Sequence, residues 1–113
     1  MRCWHLRQSY AERSQLVAAA LRTHLPRVRF TTVAGASSFW LRFADHVDTR
    51  AIAVAAARRG VLIEPGDVFF VDGHEPVPTN YARLGFASID AARIEPGIAT
   101  LAAACAEVAG ATV

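Results

Sequence analysis

The run NYARLGFASI, residues Asn80 to Ile89, most constrains the fold because its two sets of alternating side chains differ in character. Side chains alternate between the two faces of a strand, so the apolar residues fall on one face and Arg83 on the other. Gly85 shares the face of Arg83 and leaves a gap where a side chain would stand. The run therefore predicts a strand that is buried on one side. The apolar face comprises Ala82, Leu84 and Phe86, and the opposite face comprises Tyr81, Arg83, Gly85 and Ala87.

The charged residue of this strand, Arg83, is the strongest lead to a function. A guanidinium held on a rigid strand beside a gap suits a carboxylate, because its planar fork offers two parallel charge-assisted hydrogen bonds. A second interpretation is an ordinary surface ion pair with Glu64 or Asp67, which lie in the run VLIEPGDVFF, residues Val61 to Phe70. The sequence leaves both interpretations open.

Hydrophobic periodicity and turn signals place further elements along the chain. The resulting order, α-β-β-α-β-β-α, predicts an α+β fold in which helices cover one face of a mainly antiparallel sheet. Before the central strand we predict a helix over Leu6 to Leu25, strands over Val28 to Val33 and Ser37 to Phe43, a helix over Asp48 to Arg59, a short buried strand over Val61 to Ile63 and a turn over Glu64 to Asp67.

The ends of the two later helices carry recognisable signals. Asp48 is an N-cap residue, and Gly60 stands where a left-handed residue ends a helix. Asp90 is the expected N-cap of the last helix. Because proline is tolerated only in a first turn, Pro96 predicts a separate opening turn over residues 91–94 and a helix body from Glu95 onward. The predicted buried stripe of that body comprises Ile98, Leu101, Cys105 and Val108.

The strand over Ser37 to Phe43 brings a large aromatic residue to the polar side. Trp40 shares its face with Ser38 and Arg42, opposite the apolar residues of the same strand. In one interpretation Trp40 and Arg42 form a shelf that faces a ligand. In the other, Trp40 packs under one of the helices.

The words GVLIEPGDVFF, NYARLGFASI and ARIEPG resemble the C-terminal small domain of class I/II pyridoxal-phosphate aminotransferases. They are most similar to the aminotransferase-like half of MocR-type GntR transcription regulators. The likeness runs from about Leu6 to Leu101 and includes RQSYAERSQLVAAAL and GASSFWLRF. It implies that Arg83, which matches the arginine of the family's RLGF word, binds the α-carboxylate of an amino acid or oxo acid. Ser37, Ser38 and Asn80 would line the approach.

All 12 basic residues are arginines, and the chain contains no lysine. Pyridoxal phosphate is held and used through a Schiff base to a lysine amine, so this chain alone is not expected to carry that chemistry. The resemblance implies that the lysine and the phosphate cup belong to a preceding large domain. We therefore expect residues 1–113 to be a single small domain, without its own cofactor, that is part of a split aminotransferase or works with a partner chain.

Charge and composition exclude several other classes. The net charge is +2, with 12 basic and 10 acidic residues interspersed, which argues against a nucleic-acid partner. The helix-turn-helix of the regulators is also not expected here. No signal peptide or membrane-length apolar run is visible, and Cys3 and Cys105 lack disulfide or metal spacing, so we expect a cytoplasmic protein. The loop with Asp72, His74 and Glu75 lacks the spacing of a metal site.

Two further functions remain open from the residues. The chain can be a small acid/base enzyme without a cofactor, in which Arg83 anchors a carboxylate-bearing substrate and one of four residues moves protons. It can also be an interaction module that forms a homodimer, since 53% of its residues are hydrophobic. The four candidate acid/base residues are Glu64, Asp67, His74 and Tyr81.

Overall fold

The computed structural model describes residues 2–32, 38–66, 78–86 and 89–110, and it describes residues 2–10 by their helical backbone alone. Within these ranges the chain forms three helices and four strands in the predicted order. They are α1 (Arg2–His24), β1 (Arg29–Thr32), β2 (Ser38–Arg42), α2 (Thr49–Arg58), β3 (Glu64–Pro65), β4 (Tyr81–Gly85) and α3 (Ala91–Ala109).

The four strands form one sheet in the order β1-β2-β4-β3, and each neighbouring pair is antiparallel. The predicted α+β class and antiparallel sheet are confirmed. Alternation along the strands puts Phe39, Leu41, Ala82 and Leu84 on one face, and all four are buried. This face carries the core.

The core joins that face of the sheet to all three helices. Val17 and Leu21 of α1 are buried in this core. Phe39 is central to the core, since its ring centroid lies 5.5 Å from the ring centroids of both Phe30 and Phe86. Each large side chain buried in this way contributes about 1.5–3 kcal/mol. The helical members of the core include Val17, Leu21, Ile52, Ile94, Ile98 and Leu101.

The predicted strand over Val61 to Ile63 is wrong, because this segment completes the end of α2. The amide of Gly60 donates to the carbonyl of Ala57 at 3.0 Å, and that of Val61 donates to the carbonyl of Ala56 at 2.9 Å. Gly60 has φ +82°, as its predicted role requires. The two hydrogen bonds form a Schellman motif, which uses the amide that a strand would need. Leu62 is 79% exposed.

A strand forms at the next two residues instead, within the segment predicted to be a turn. Glu64 and Pro65 form β3, and they pair with Arg83 and Ala82 of β4. Asp67, the last residue of the predicted turn, lies outside the described ranges. β3 thus places an acidic residue directly beside the arginine of β4.

The predicted break before Glu95 is also wrong, since α3 is continuous with Pro96 inside it. Proline removes one backbone hydrogen bond and strains the helix. Ile94 and Ile98 on either side of Pro96 are both buried. Burial of each side chain stabilises the fold by about 1.5–3 kcal/mol, and together these contributions offset the lost hydrogen bond. The hydroxyl of Thr100 also donates to the carbonyl of Pro96 at 2.8 Å.

The ends of α3 differ from the predictions in two details. Asp90 occupies the N-cap position, but its side chain makes no capping hydrogen bond. The buried stripe runs from Ile94 through Cys105, and Val108 is 38% exposed rather than buried. The stripe therefore ends before the last turn of the helix. By contrast, the Asp48 carboxylate accepts from the amide of Arg50 at 3.0 Å, which confirms the predicted cap of α2.

A first prediction concerns Gly66, which follows β3. A Cβ atom at this position would lie 2.7 Å from Cβ of Tyr81 and 2.8 Å from Cη2 of Trp40, well inside van der Waals contact. We expect Gly66→Ala to lower the free energy of unfolding by about 1–3 kcal/mol, as overpacking does. Urea unfolding measures it. Gly97→Ala is the control, because a Cβ there meets no described atom within 4 Å and alanine favours the helix by about 0.5–1 kcal/mol. Equal effects of the two substitutions would contradict the close packing.

A second prediction concerns Cys105, whose burial raises the pKa of the thiol from 9.0 to about 12. The folded chain then keeps a proton that the unfolded chain loses above its own pKa. The stabilisation is complete below pH 9.0 and is lost as the pH rises toward 12. Between these limits we expect the free energy of unfolding to fall by about 1.4 kcal/mol per pH unit more in the wild type than in Cys105→Ala. Parallel pH profiles from urea unfolding would show the thiol to be accessible.

Candidate functional site

The candidate site lies on the face of the sheet opposite the core, here called the outer face. Directly paired residues of antiparallel strands share a face, so the register of the sheet defines its members. The predicted orientation of Tyr81, Arg83 and Gly85 is confirmed, whereas Ala87 lies outside the described ranges. The outer face comprises Arg29, Thr31, Ser38, Trp40, Arg42, Glu64, Tyr81, Arg83 and Gly85.

Arg83 occupies the middle of this face, between Trp40 of β2 and Glu64 of β3. Its Nη1 lies 3.8 Å from Oε1 of Glu64, and the two side chains are 42% and 60% exposed. The surface ion pair with Glu64 is thus present. Its distance exceeds the ~2.7–3.2 Å of a hydrogen bond, and an exposed pair of this kind contributes about 0–1 kcal/mol. Glu64 therefore holds Arg83 only weakly.

A gap and an unpartnered hydroxyl adjoin Arg83. Gly85 is paired directly with Ser38, and a Cβ at Gly85 would meet no described atom within 4 Å. Ser38 is 2% exposed, and its Oγ has no hydrogen-bond partner in the described part of the chain. Leaving a buried hydroxyl unpaired costs about 1–3 kcal/mol. A ligand oxygen at this point would remove that penalty.

Two aromatic rings form the other side of the site. Trp40 stacks on Tyr81 with ring centroids 5.4 Å apart and planes inclined by 22°. The guanidinium carbon of Arg42 lies 6.0 Å from the Tyr81 ring. The prediction that Trp40 packs under a helix is wrong, because the register turns it away from the buried Phe39 and Leu41. Trp40 and Arg42 both lie on the outer face, and a shelf that they form for a ligand stays a prediction.

Asn80, a predicted binding residue, makes contacts that serve the fold. Its side chain is buried, and its Nδ2 donates to the carbonyl of Phe43 at 2.9 Å. The backbone carbonyl of Asn80 accepts a hydrogen bond from the backbone amide of Phe43 at 2.8 Å. These bonds fix the start of β4 against the end of β2. A contact between Asn80 and a ligand stays a prediction.

Thr49 is a residue that the sequence reasoning missed. It is 1% exposed, and its hydroxyl shares its one hydrogen between the carbonyls of Thr79, at 3.0 Å, and Tyr81, at 2.8 Å. It ties the first turn of α2 to the start of β4. Its position beside the Asp48 cap is the one available signal, since the partners are about thirty residues away in the sequence.

The remaining candidates divide by position. Glu64 and Tyr81, named as possible acid/base residues, both lie on the outer face near Arg83. Ser37, Asp67 and His74 lie outside the described ranges. Within those ranges no group of three or more His, Cys, Asp and Glu side chains is placed to hold a metal ion. No helix there is long and apolar enough to cross a membrane.

A cavity of about 660 Å³ lies between the end of β4, the segment after α2 and the start of α3. Gly85 and Phe86 line it, together with apolar residues of α3, but Arg83 does not. Arg59 at its edge is paired with Glu107 at 3.4 Å. We place the candidate site at Arg83 rather than here, because the outer face holds the half-exposed guanidinium and the unpartnered hydroxyl.

Comparison with known proteins gives the class. No protein-family model matches the chain. Among curated proteins, it is 35% identical over 99 residues to the HTH-type transcriptional regulator TauR of Rhodobacter capsulatus. The match covers 88% of this chain but 20% of the regulator, so the chain spans about a fifth of its relative.

Solved structures of aminotransferases share the fold. An alpha-aminoadipate aminotransferase from Thermus thermophilus has a TM-score of 0.79 at 26% identity over 90% of this chain. A kynurenine aminotransferase from Pyrococcus horikoshii has a TM-score of 0.77 at 30% identity over 89% of this chain. The chain covers 26% and 24% of those two proteins. The fold is therefore that of an aminotransferase-like small domain.

The curated relative is a MocR-type regulator of the GntR family. The resemblance to the aminotransferase-like half of such regulators is thus confirmed by a sequence relative and by structural neighbours together. The residues present do not fit pyridoxal phosphate as a complete site, because the chain has no lysine to form the Schiff base.

A third prediction concerns Asn80. Removing its side chain leaves the carbonyl of Phe43 without this buried donor, and an unsatisfied buried group costs about 1–3 kcal/mol. We expect Asn80→Ala to lower the free energy of unfolding by that amount, measured in urea. Thr100→Ala is the control, since it removes an exposed side-chain bond to a carbonyl. If Asn80→Ala is as mild as the control, the contact with Phe43 does not hold β4 in place.

Proposed function

We propose that this chain is the small domain of an aminotransferase-type protein and that Arg83 binds the α-carboxylate of an amino acid or oxo acid. The proposal rests on the exposure and the incomplete pairing of the Arg83 side chain. Its guanidinium is half-exposed on the outer face and, in the described ranges, makes no hydrogen bond and one loose ion pair. A carboxylate would supply the two hydrogen bonds that its fork lacks.

The surroundings of Arg83 favour a small ligand over a simple surface charge. The gap at Gly85 gives a ligand access to the backbone beside the guanidinium, and the buried Ser38 Oγ next to it has no partner in the described ranges. The stacked rings of Trp40 and Tyr81 offer an apolar wall for a ligand side chain. Hydrogen bonds to charged groups are worth about 1.5–3 kcal/mol each, so the two bonds of Arg83 would supply a large part of the favourable free energy of binding.

The comparisons support the same ligand class. The aminotransferase from Thermus thermophilus was solved with N-(5'-phosphopyridoxyl)-L-leucine, and the one from Pyrococcus horikoshii with kynurenine as substrate. For this chain the amino-acid or oxo-acid ligand is our proposal, supported by the shared fold and by the chemistry of the outer face.

Pyridoxal-phosphate chemistry would need a lysine, which these 113 residues do not contain. Bound pyridoxal phosphate acts by withdrawing electrons from an amino-acid carbon, and a lysine amine must hold it. We propose that a large domain, on a partner chain or a longer form of this protein, supplies that lysine. The part played by this chain is to bind and orient the carboxylate. We do not assign it DNA binding.

A fourth prediction tests the carboxylate site. We expect L-leucine to bind the wild type with millimolar affinity, and Arg83→Ala to weaken binding about tenfold or more, because one charge-assisted hydrogen bond is worth about 1.5–3 kcal/mol. Backbone amide NMR shifts, followed during titration at fixed ionic strength, measure the dissociation constant. The same spectra report whether the variant is folded.

The control is Arg59→Ala. Arg59 also pairs with a glutamate, Glu107, and its side chain is 36% exposed, close to the 42% of Arg83. Its removal should leave the dissociation constant unchanged within twofold. Equal weakening by both substitutions, or binding that survives the loss of Arg83, would refute the proposed site.

A further inference from the structure

We infer that Glu64 makes the Arg83 site selective for zwitterionic amino acids over the 2-oxo acids of the same side chain. The inference rests on the proposed function, since it assigns a second ligand-recognising residue to the same site. It starts from the pairing of Glu64 with Arg83 across β3 and β4, which places an anion beside the cation that binds the ligand.

The backbone fixes the position of Glu64. Two residues of β3 pair with β4, Pro65 restricts the chain at its second position, and Gly66 packs closely against Tyr81 and Trp40. The carboxylate is nevertheless 60% exposed, so a ligand can reach it. Oε1 lies 3.8 Å from Nη1 of Arg83, so the two side chains present opposite charges to the same small volume.

Glu64 determines how strongly the outer face attracts an anion at Arg83. Its charged members in the described ranges are three arginines and one acid, Glu64. A face with arginines alone would attract any anion. Glu64 offsets part of the charge of its neighbour Arg83, so an anionic ligand is attracted less strongly at that point. The three arginines are Arg29, Arg42 and Arg83.

The two ligand classes meet this pair differently. A 2-oxo acid carries one negative charge, so it must compete with Glu64 for Arg83 and then lies beside a second carboxylate, which is unfavourable. An amino acid brings its own ammonium group along with its carboxylate. The ligand carboxylate can bind Arg83 while the ligand ammonium binds Glu64, so each of the four charged groups has a partner of opposite charge. The pair therefore matches a zwitterion better than an anion.

The expected preference is modest because both side chains are partly exposed. An exposed ion pair contributes up to about 1 kcal/mol, which corresponds to about a fivefold ratio of dissociation constants. We expect the wild type to bind L-leucine about three- to fivefold more tightly than the 2-oxo acid with the same isobutyl side chain. In Glu64→Gln the 2-oxo acid should bind more tightly and the ratio should fall to about one.

The experiment is an NMR titration of the full chain with these two probes at neutral pH and fixed ionic strength. Glu107→Gln is the matched control, because it removes the carboxylate of the other arginine–glutamate pair, away from the outer face. This control should keep the wild-type ratio. Amide spectra of each variant confirm that it is folded.

Each outcome decides between the claims. A ratio that falls in Glu64→Gln and is kept in Glu107→Gln supports the inference. If both probes bind in an Arg83-dependent way but Glu64→Gln leaves the ratio unchanged, the inference is wrong and the proposed function stands. If the wild type prefers the 2-oxo acid, the inference is likewise wrong. If neither probe binds the wild type, the proposed function and the inference both fail.

Discussion

The antiparallel pairing of β4 with β2 and β3 is the constraint on which the site depends. Because side chains alternate along β4, the burial of Ala82 and Leu84 in the core obliges Arg83 to stand on the outer face. The register with β2 then places Trp40 beside it, and the register with β3 places Glu64 on its other side. A shift of one residue would exchange the two faces of β4, burying the arginine and exposing leucine, so the core itself fixes the position of the guanidinium.

Polar contacts at the ends of the strands support this arrangement. Thr49 and Asn80 are buried and hydrogen-bonded to backbone carbonyls near the start of β4, and they join it to α2 and to the end of β2. Buried hydrogen bonds of this kind are costly to leave unmade, so they favour one register over its alternatives. The single buried hydroxyl without a partner in the described ranges, that of Ser38, lies on the outer face. Among the described residues, the buried polar side chains of Thr49 and Asn80 are hydrogen-bonded, and the buried hydroxyl without a partner is that of Ser38.

Local patterns in the sequence were sufficient to predict the element order, the faces of β4 and the cap of α2, because these depend on periodicity and on residues close in the chain. They failed where distant contacts decide. The apolar run at Val61 has the composition of a strand, but its amide completes the end of α2. Pro96 resembles a break, but core contacts on both sides keep α3 continuous. Apart from its position beside the Asp48 cap, Thr49 carries no local signal for its role, since its partners lie far along the sequence. The pairing of Glu64 with Arg83 depends on the register of β3, which local patterns do not specify.

The most direct test of the carboxylate site is a crystal structure of the chain grown with a high concentration of L-leucine. We expect a carboxylate with both oxygens about 2.7–2.9 Å from nitrogens of Arg83, the distance of a charge-assisted hydrogen bond, with the ligand lying between Ser38 and the ring of Trp40. A structure in which leucine occupies another surface, or in which Arg83 contacts Glu64 alone at saturating leucine, would contradict the central claim.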